Sequence, residues 1–258
     1  MKKHIIDFEV SSNEEVGNNA ILMKLHCPTP LPEIKPGQFV EVRIDNEPNV
    51  FLRRPISINY IDKKANEMWL LVQKVGKGTN KLGTLQKGDT LNCVVPLGNG
   101  FDTKAAQGKK VLLVGGGVGV APMLMLGSTL KEEGTEPTFL LGARTKNMLL
   151  EKELFEQTGR LLVTTEDGSL GEKGFVTNHS VLSNEKFDKI YVCGPTPMMK
   201  AVAGYAKKAG IDCEVSLENK MACGLGACLC CVTETQEGHK CVCTDGPVFN
   251  INELTWQI

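Results

Sequence analysis

The chain has 258 residues, of which 41% are apolar and 23% are charged, and its formal net charge is −1. These values are ordinary for a soluble globular protein, and the apolar fraction is too high for a disordered one. The balanced charge argues against proteins that bind nucleic acid or acidic lipid through bulk electrostatics. The length suggests about two domains.

No apolar signal segment is expected at the start of the chain, since Met1–His4 runs directly into Ile5, Ile6 and Asp7. The longest uncharged run, 111–130, has the length of a membrane span, but it contains five glycines and Pro122. It therefore predicts a strand, a glycine loop and a helix. We expect a cytoplasmic protein with no membrane span and no nucleic-acid partner.

The first hundred residues predict an antiparallel β-barrel. Short apolar stretches are bounded by turn residues, for example at 35–38 and 87–89, as is typical of small barrels and sandwiches. The predicted strands are 5–10, 20–25, 39–44, 52–59, 68–75 and 91–95. A polar stretch after Gly100 marks the boundary of this first predicted domain, 1–102.

From Val111 onward the pattern changes to strands that alternate with helices. The run 111–114 is continuously apolar, as expected for a strand buried on both faces of a parallel sheet. Further strands are predicted at 138–141, 161–164 and 190–193, and helices at 121–133, 149–156 and 197–209. We therefore expect a doubly wound parallel sheet over 103–215. The remaining segment, 216–258, has too few apolar residues to fold on its own.

Six of the ten cysteines lie between positions 223 and 243. Cys223, Cys228 and Cys231 have the spacing C-x4-C-x2-C, which together with a distant fourth cysteine is the plant-type [2Fe–2S] ligand pattern. Glycines at 224 and 226 allow such a loop to curl and to point backbone N–H groups at a cluster. Zinc is the alternative, although its structural sites favour paired short knuckles.

A glycine-rich loop at 115–119 joins the first strand of the second domain to a helix. Its free N–H groups can face a pyrophosphate, with Gly117 and Gly119 as candidate contacts; the alternative is a simple tight turn. The strict G-x-G-x-x-G fingerprint fails at Val120. The acidic residue that usually binds the ribose at the end of the second strand is missing. Arg144 follows this strand instead, and it either binds a 2′-phosphate or lies in solvent. The choice between NAD and NADP therefore stays open.

Two stretches of the barrel carry groups that can bind phosphate. Arg53–Ser57 combines guanidinium groups with a hydroxyl, and Gly76–Thr79 follows a strand and begins a helical stretch. On their own, both are better explained by a solvated arginine and an ordinary hairpin turn.

Together these motifs carry a resemblance. Arg54–Ser57, Gly115–Pro122 and Cys193–Pro195 occur in the order seen in the ferredoxin reductase superfamily, whose members hold FAD in an antiparallel barrel and a nicotinamide nucleotide in an α/β domain. The tail from Cys223 to Phe249 and the stretch 96–101 narrow this resemblance from the superfamily to one of its subfamilies. The whole chain resembles the electron transfer subunit of class 1B dihydroorotate dehydrogenase.

The resemblance implies roles for individual residues. Contacts to the flavin and its phosphates are expected from Arg54, Pro55, Ile56 and Ser57, to the isoalloxazine from Leu71, Val72 and Gln73, and to the pyrophosphate from Gly78 and Thr79. Gln73 replaces the arginine of some relatives. Cys193 is expected near the nicotinamide, with a buried strand-end thiol as the alternative. The implied cluster ligands are Cys223, Cys228, Cys231 and Cys243, which leaves Cys230 and Cys241 spare.

The resemblance also implies an NAD-linked oxidoreductase subunit in pyrimidine biosynthesis. A catalytic partner subunit carrying FMN is expected to oxidise dihydroorotate and to pass electrons through [2Fe–2S] and FAD to NAD⁺, in a heterotetramer with two copies of each subunit. No general acid or base is expected in this chain, since the cofactors carry the chemistry. The alternatives are a subunit of another flavin and iron–sulfur NAD(P)H oxidoreductase, of ferredoxin–NADP reductase or sulfide dehydrogenase type, and a zinc-stabilised, non-enzymatic binding module.

Overall fold

The computed structural model describes residues 2–17 and 19–258. Its first part is the predicted closed barrel, with strand order β1–β2–β5–β4–β3–β6. The elements are β1 (His4–Gly17), β2 (Ala20–His26), β3 (Phe39–Val42), β4 (Arg54–Asp62), β5 (Glu67–Gln73), helix α1 (Lys77–Leu82) and β6 (Thr90–Leu97). Side chains such as Phe8, Met23, Val40 and Ile58 fill the barrel.

The first strand is longer than its apolar stretch, 5–10, predicts. It continues past an irregularity after Val10 as far as Gly17, and Asn13 pairs with Met23 of β2. Residues 11–17 are mostly polar, so they give no apolar alternation to detect. Backbone pairing with β2 extends the strand here, supported by Asn13, whose Nδ2 donates to the carbonyls of Leu82 (3.0 Å) and Leu85 (2.9 Å).

The second part is a seven-stranded sheet with the order β10–β9–β8–β7–β11–β12–β15, parallel except for the last strand, β15 (Val248–Asn250). Its elements are β7 (Val111–Gly116), α2 (Ala121–Glu132), β8 (Pro137–Ala143), α3 (Lys152–Thr158), β9 (Arg160–Thr165), β10 (Glu172–Lys173), α4 (Val181–Asn184), β11 (Lys189–Cys193), α5 (Thr196–Ala209) and β12 (Asp212–Ser216). Both faces of β7 are covered: Val111 and Leu113 pack in one core cluster, Leu112 and Val114 in another. The continuous apolar run therefore has the predicted cause.

The C-terminal segment leaves this sheet and returns to it. After β12 the chain forms a loop and a hairpin, β13 (Val232–Thr235) and β14 (Gly238–Cys241), and then adds β15 (Val248–Asn250) antiparallel to β12. Where the segment leaves and rejoins the sheet, the Leu217 N–H donates to the Pro247 carbonyl (2.9 Å). Neither β12 nor β15 is predicted from the sequence, because β15 has only three residues and β12 offers only two apolar residues, Cys213 and Val215.

A buried ion cluster stabilises the edge of the sheet. Lys189 is 1% exposed, and its Nζ donates to Asp212 Oδ2 and to Glu214 Oε1, each over 2.7 Å. Glu214 Oε2 in turn accepts the Asp102 N–H (3.1 Å), and the Tyr191 hydroxyl donates to the Asp102 carbonyl (2.7 Å). These bonds tie the end of the barrel to β11 and β12. In the described part of the chain, no helix is both long enough and apolar enough to cross a membrane.

Candidate functional site: flavin, nucleotide and iron–sulfur cluster

Arg54 and Gly78 lie side by side, although 23 residues separate them in the sequence. Arg54 is the first residue of β4, and its Nη1 donates to the Leu52 carbonyl (2.7 Å). A Cβ added to Gly78 would lie 3.0 Å from Arg54 Nε, so the missing side chain lets the guanidinium approach the start of α1. A guanidinium beside a turn with free N–H groups is a suitable corner for a phosphate.

The Thr79 hydroxyl stabilises this corner from within. Its Oγ1 accepts the N–H groups of Val75 (3.0 Å) and Gly76 (3.1 Å). Because these bonds occupy the side chain, the backbone of this turn is the better candidate for contact with a pyrophosphate. Pro55, Ile56 and Ser57 follow Arg54 along β4 and pair with β3.

Of the three residues predicted to line an isoalloxazine, only Gln73 has its side chain in a cleft. Leu71 is 2% exposed and packs with a core cluster of the parallel-sheet part, and Val72 is 1% exposed and packs inside the barrel. Both side chains are therefore committed to hydrophobic cores, and they can meet a flavin only through their backbone.

A cleft of about 650 Å³ opens at the carboxyl ends of β7 and β8. Gly116, Gly117, Pro195 and Met198 line it, and Gly116 packs against Met198: a Cβ on Gly116 would lie 2.5 Å from Met198 Sδ. Gly117 has φ +57°, a conformation that glycine adopts without strain. Ligands of parallel α/β sheets bind at this edge, where helix N-termini present free N–H groups.

Gly119 marks a close crossing of two backbone segments. A Cβ on this residue would lie 2.5 Å from Gly194 Cα and 2.8 Å from the Cys193 carbonyl carbon. Cys193, at the carboxyl end of β11, is 1% exposed, and burial raises the pKa of its thiol. The predicted loop and the Cys193–Gly194 segment are thus in contact, with the Cys193 thiol buried.

No acidic residue that could bind a ribose follows β8, but one, Glu166, follows the neighbouring strand β9. Glu166 lines the same cleft as Arg144. Its N–H donates to the Ala143 carbonyl (3.1 Å), and Asp167 N–H donates to the Arg144 carbonyl (3.2 Å). Sequence reasoning missed Glu166 because it searched only the end of the second strand; the parallel pairing of β8 with β9 brings both strand ends to one place.

The four predicted cluster ligands form two pairs. Cys228 lies beside Cys223 and helps to lower the pKa of its thiol, and the Cys243 N–H donates to Cys231 Sγ (3.4 Å). Gly226 N–H donates to Cys243 Sγ (3.2 Å), which links the two pairs. Across the described residues, no three His, Cys, Asp or Glu side chains converge on a single metal-ion position. Thiols in pairs, with loop N–H groups directed at sulfur, fit a [2Fe–2S] cluster.

The electrostatics of the cysteines differ along the loop. Leu225 N–H donates to Cys223 Sγ (3.3 Å), and this bond is the main cause that lowers the pKa of the Cys223 thiol to about 6. Burial raises the pKa of Cys243 to about 12. Cys230 is exposed, whereas Cys241 is partly buried, and burial raises the pKa of its thiol.

Glu41 connects the cluster loop to the barrel, and no sequence pattern reveals it. It lies on β3, where it pairs with Pro55 of the flavin motif, and it is fully buried with both carboxyl oxygens lacking a hydrogen-bond partner. Burial raises its pKa to about 7. A Cβ on Gly224 would lie 2.6 Å from Glu41 Cγ, so the cluster loop packs directly on this strand.

The stretch 96–101 holds the other side of the cluster segment. Asn99 Nδ2 donates to the carbonyls of Thr244 and Asp245, each over 3.0 Å. A Cβ on Gly98 would lie 2.5 Å from Pro247 Cδ. The cluster segment is therefore seated on the end of the barrel.

Comparisons with known proteins agree with this arrangement. Three family models match consecutive parts of the chain: an oxidoreductase FAD-binding domain at 7–101, an oxidoreductase NAD-binding domain at 113–204, and the iron–sulfur cluster binding domain of dihydroorotate dehydrogenase B at 218–255. The predicted FAD, NAD and [2Fe–2S] cofactors are confirmed at this level.

Curated relatives decide the family. The "dihydroorotate dehydrogenase B (NAD(+)), electron transfer subunit" of Lysinibacillus sphaericus is 40% identical over 246 residues, covering 93% of this chain and 94% of its own. The protein of the same description from Caldanaerobacter subterraneus subsp. tengcongensis is 44% identical over 223 residues, covering 85% and 86%. The chain belongs to this family of electron transfer subunits. The predicted resemblance is thereby confirmed.

Solved structures confirm the predicted fold class. A chain of an NADH-dependent reduced ferredoxin–NADP oxidoreductase superposes with a TM-score of 0.85 at 33% identity, covering 96% of this chain and 90% of that one. A cytochrome P450 reductase from Amycolatopsis has a TM-score of 0.69 at 22% identity, covering 80% and 66%. The latter likeness concerns the fold alone.

Proposed function

We propose that this chain carries electrons from the FMN of a dihydroorotate dehydrogenase catalytic subunit to NAD⁺, by way of its own [2Fe–2S] cluster and FAD. One observation carries the proposal: Gly224 of the cluster loop packs on Glu41, and Glu41 pairs with Pro55 of the flavin motif. Membership of the family supports the direction of flow. Held in the barrel, FAD would supply the chemistry that combines two single electrons with a proton for hydride transfer to NAD⁺, while the protein holds and orients the groups.

The residues proposed to hold each group follow from the geometry. Arg54 and the turn at Gly78 take the flavin phosphates, together with Pro55, Ile56, Ser57 and the backbone of 71–73. The nucleotide lies in the cleft at Gly117 and Gly119, with Cys193 beside it. The cluster ligands are Cys223, Cys228, Cys231 and Cys243; Cys243 is preferred to Cys241 because it accepts the Gly226 N–H.

We further propose NAD rather than NADP as the nucleotide. Glu166 supplies a carboxylate at the cleft that can bind ribose hydroxyls and repel a 2′-phosphate. Glu166→Gln is therefore expected to lower the KM for NADPH relative to NADH. An unchanged ratio of the two KM values would contradict the assignment.

The partner subunit is proposed to dock over the cluster loop, in a heterotetramer with two copies of each chain. Leu225 and Leu229 on this loop are 48% and 63% exposed, and apolar side chains of this kind suit a protein interface. A cytoplasmic location is proposed because none of the ten cysteines forms a disulfide, as is usual in a reducing compartment.

The first test is an anaerobic visible spectrum of the purified chain, before and after addition of NADH. Flavin bands above a broad iron–sulfur shoulder, both bleached by NADH, are the expected result. Co-expression with the catalytic subunit should then give NAD⁺ reduction that depends on dihydroorotate. Bleaching by NADH without this dihydroorotate activity would favour the second candidate, a subunit of a ferredoxin–NADP oxidoreductase, as the 33% identical structure suggests.

A further inference from the structure

A buried polar contact joins the barrel to the nucleotide-binding part at a place that neither predicted site includes. Asn59 lies on β4 between Ile58, which pairs with Leu70, and Tyr60, which pairs with Trp69. From one pair to the next, the chain advances by two residues on β4 but by only one on β5. Asn59 is therefore the extra residue of a β-bulge. A bulge redirects its side chain out of the regular pleat.

The Asn59 amide bridges two helices. Its Nδ2 donates to the Ala121 carbonyl (3.2 Å) and to Glu151 Oε2 (2.8 Å). Ala121 is the first residue of α2, and Glu151 immediately precedes α3 with φ +55°, a left-handed conformation that is unusual for glutamate. Asn59 is 0% exposed. One side chain of the barrel thus fixes the starts of both helices.

The position of this contact relates it to both binding sites. Asn59 follows Ser57 of the flavin motif by two residues, and Ala121 follows Gly119 of the nucleotide loop by two residues. A shift of β4 against α2 would therefore change the spacing between the strand proposed for the flavin and the loop proposed for the nucleotide. Distances between reacting groups are sensitive to such shifts.

The contact has two buried acceptors without a partner, Asn59 Oδ1 and Glu151 Oε1. Such atoms are rare in folded proteins. A proton on Glu151 would turn one carboxyl oxygen from an acceptor into a donor, in a contact where two buried acceptors have no donor. Part of the Glu151 side chain reaches the surface, but its carboxyl is enclosed, and burial raises its pKa to about 7.

No ionised side chain in the described residues opposes or supports a charge on Glu151; besides burial, only the Asn59 hydrogen bond affects its pKa. The first turn of α2, Ala121–Leu124, has no titratable group. The titratable residues elsewhere on the three elements are Arg54, Tyr60 and Asp62 on β4, Lys131 and Glu132 on α2, and Lys152, Glu153 and Glu156 on α3. Lys152 pairs with Glu156 (2.6 Å).

We propose that Asn59 and Glu151 are positioning residues for hydride transfer, which hold the flavin strand and the nucleotide loop in register and do so most firmly when Glu151 carries a proton. The inference rests on the proposed exchange of a hydride between NAD(H) and the flavin. Neither residue touches the nucleotide in this scheme. The substrate affinity is therefore independent of the contact, and the transfer rate depends on it.

The test is the rate of flavin reduction by NADH in the FAD-loaded chain, measured by stopped flow from pH 5.5 to 8.5. The wild-type rate should fall by about fivefold around pH 7, the factor that one hydrogen bond contributes, with an unchanged KM for NADH. Glu151→Gln, whose amide always has a hydrogen to donate, should keep the low-pH rate throughout. Glu153→Gln, an exposed change on the same helix, is the control and should behave as wild type.

A second measurement does not depend on activity. Thermal unfolding of the chain without cofactors should lose less stability between pH 5 and pH 8 in Glu151→Gln than in wild type. The same pH profile of flavin reduction in both proteins would overturn the inference, as would a flat wild-type profile. A wild-type chain that NADH does not reduce at all would instead refute the proposed function.

Discussion

The close crossing at Gly119 gives the sharpest prediction. In Gly119→Ala, the new Cβ would stand 2.5 Å from Gly194 Cα and 2.6 Å from Gly194 N, whereas ordinary contacts lie at 3.4–4 Å. The neighbours are backbone atoms and cannot rotate away, so the nucleotide loop must move by about 1 Å. Overpacking of this kind costs about 1–3 kcal/mol of unfolding free energy, and a 1 Å misplacement slows a reaction by about 100-fold.

Two assays measure these effects: chemical denaturation of the chain, and flavin reduction by NADH in stopped flow. Gly204→Ala is the matched control, because Gly204 lies within α5 and a Cβ there meets only Ile258, at 4.0 Å. That change should stabilise the chain by about 0.5–1 kcal/mol and leave the kinetics unaltered. If Gly119→Ala unfolds at the wild-type denaturant concentration and reacts at the wild-type rate, the crossing does not constrain the loop and the reasoning fails.

Four further substitutions test other parts of the chain. Cys231→Ser should lose bound iron and Cys230→Ser should retain it, as measured by iron-to-protein ratios after anaerobic purification; an iron-free Cys230→Ser protein would contradict the ligand set. Arg54→Ala should weaken FAD binding by about 1.5–3 kcal/mol, through loss of a charge-assisted contact. Lys189→Met leaves two carboxylates without their buried partner, and it should cost about 3–5 kcal/mol of stability by denaturation. Burial by itself raises the pKa of Asp212, but the hydrogen bonds from Lys189 and Asn250, together with the charges of Lys189 and Lys109, lower it overall. The wild type should therefore lose this stabilisation as the pH falls below about 4.

Matched controls separate these effects from general damage. Arg43→Ala removes an exposed arginine that pairs with Asp45 (2.7 Å), and it should leave FAD affinity unchanged. Lys110→Met removes an exposed lysine that pairs with Glu185 (2.7 Å), and it should cost less than about 1 kcal/mol. Equal losses in Lys110→Met and Lys189→Met would show that burial of the ion pair is not the cause.

The sequence predicts those parts of the fold whose signal is local. The run 111–114 is apolar because both faces of β7 are covered, and the spacing of Cys223, Cys228 and Cys231 reflects one tight loop. By contrast, β12 and β15 depend on pairing between residues about 35 positions apart, such as Val215 with Phe249. Such pairing leaves no mark in a window of a few residues.

In the candidate site, too, residues in local motifs are predictable from the sequence, whereas residues placed by tertiary contacts are not. Arg54 and Gly119 are recognisable from short motifs, whereas Glu41, Asn59 and Glu166 are ordinary polar residues of strands or loops. Their importance comes from tertiary placement: Glu41 is brought under the cluster loop by packing, and Asn59 is turned inward by a bulge. A single sequence has no pattern for these events, because they depend on which elements lie across from the residue.

The return of the chain through β15 has a consequence for how the cluster segment can be exchanged between proteins. Both of its ends are strands of the nucleotide sheet, while its middle rests on the barrel through Gly224 and Asn99. The cluster segment therefore spans the parallel sheet and the barrel and is not a separate domain added to one end. A transplant would need the β12 edge and the barrel end as well as the cysteines. Amino-acid substitutions in the cluster segment are therefore expected to require matching substitutions in the barrel and in the parallel-sheet part.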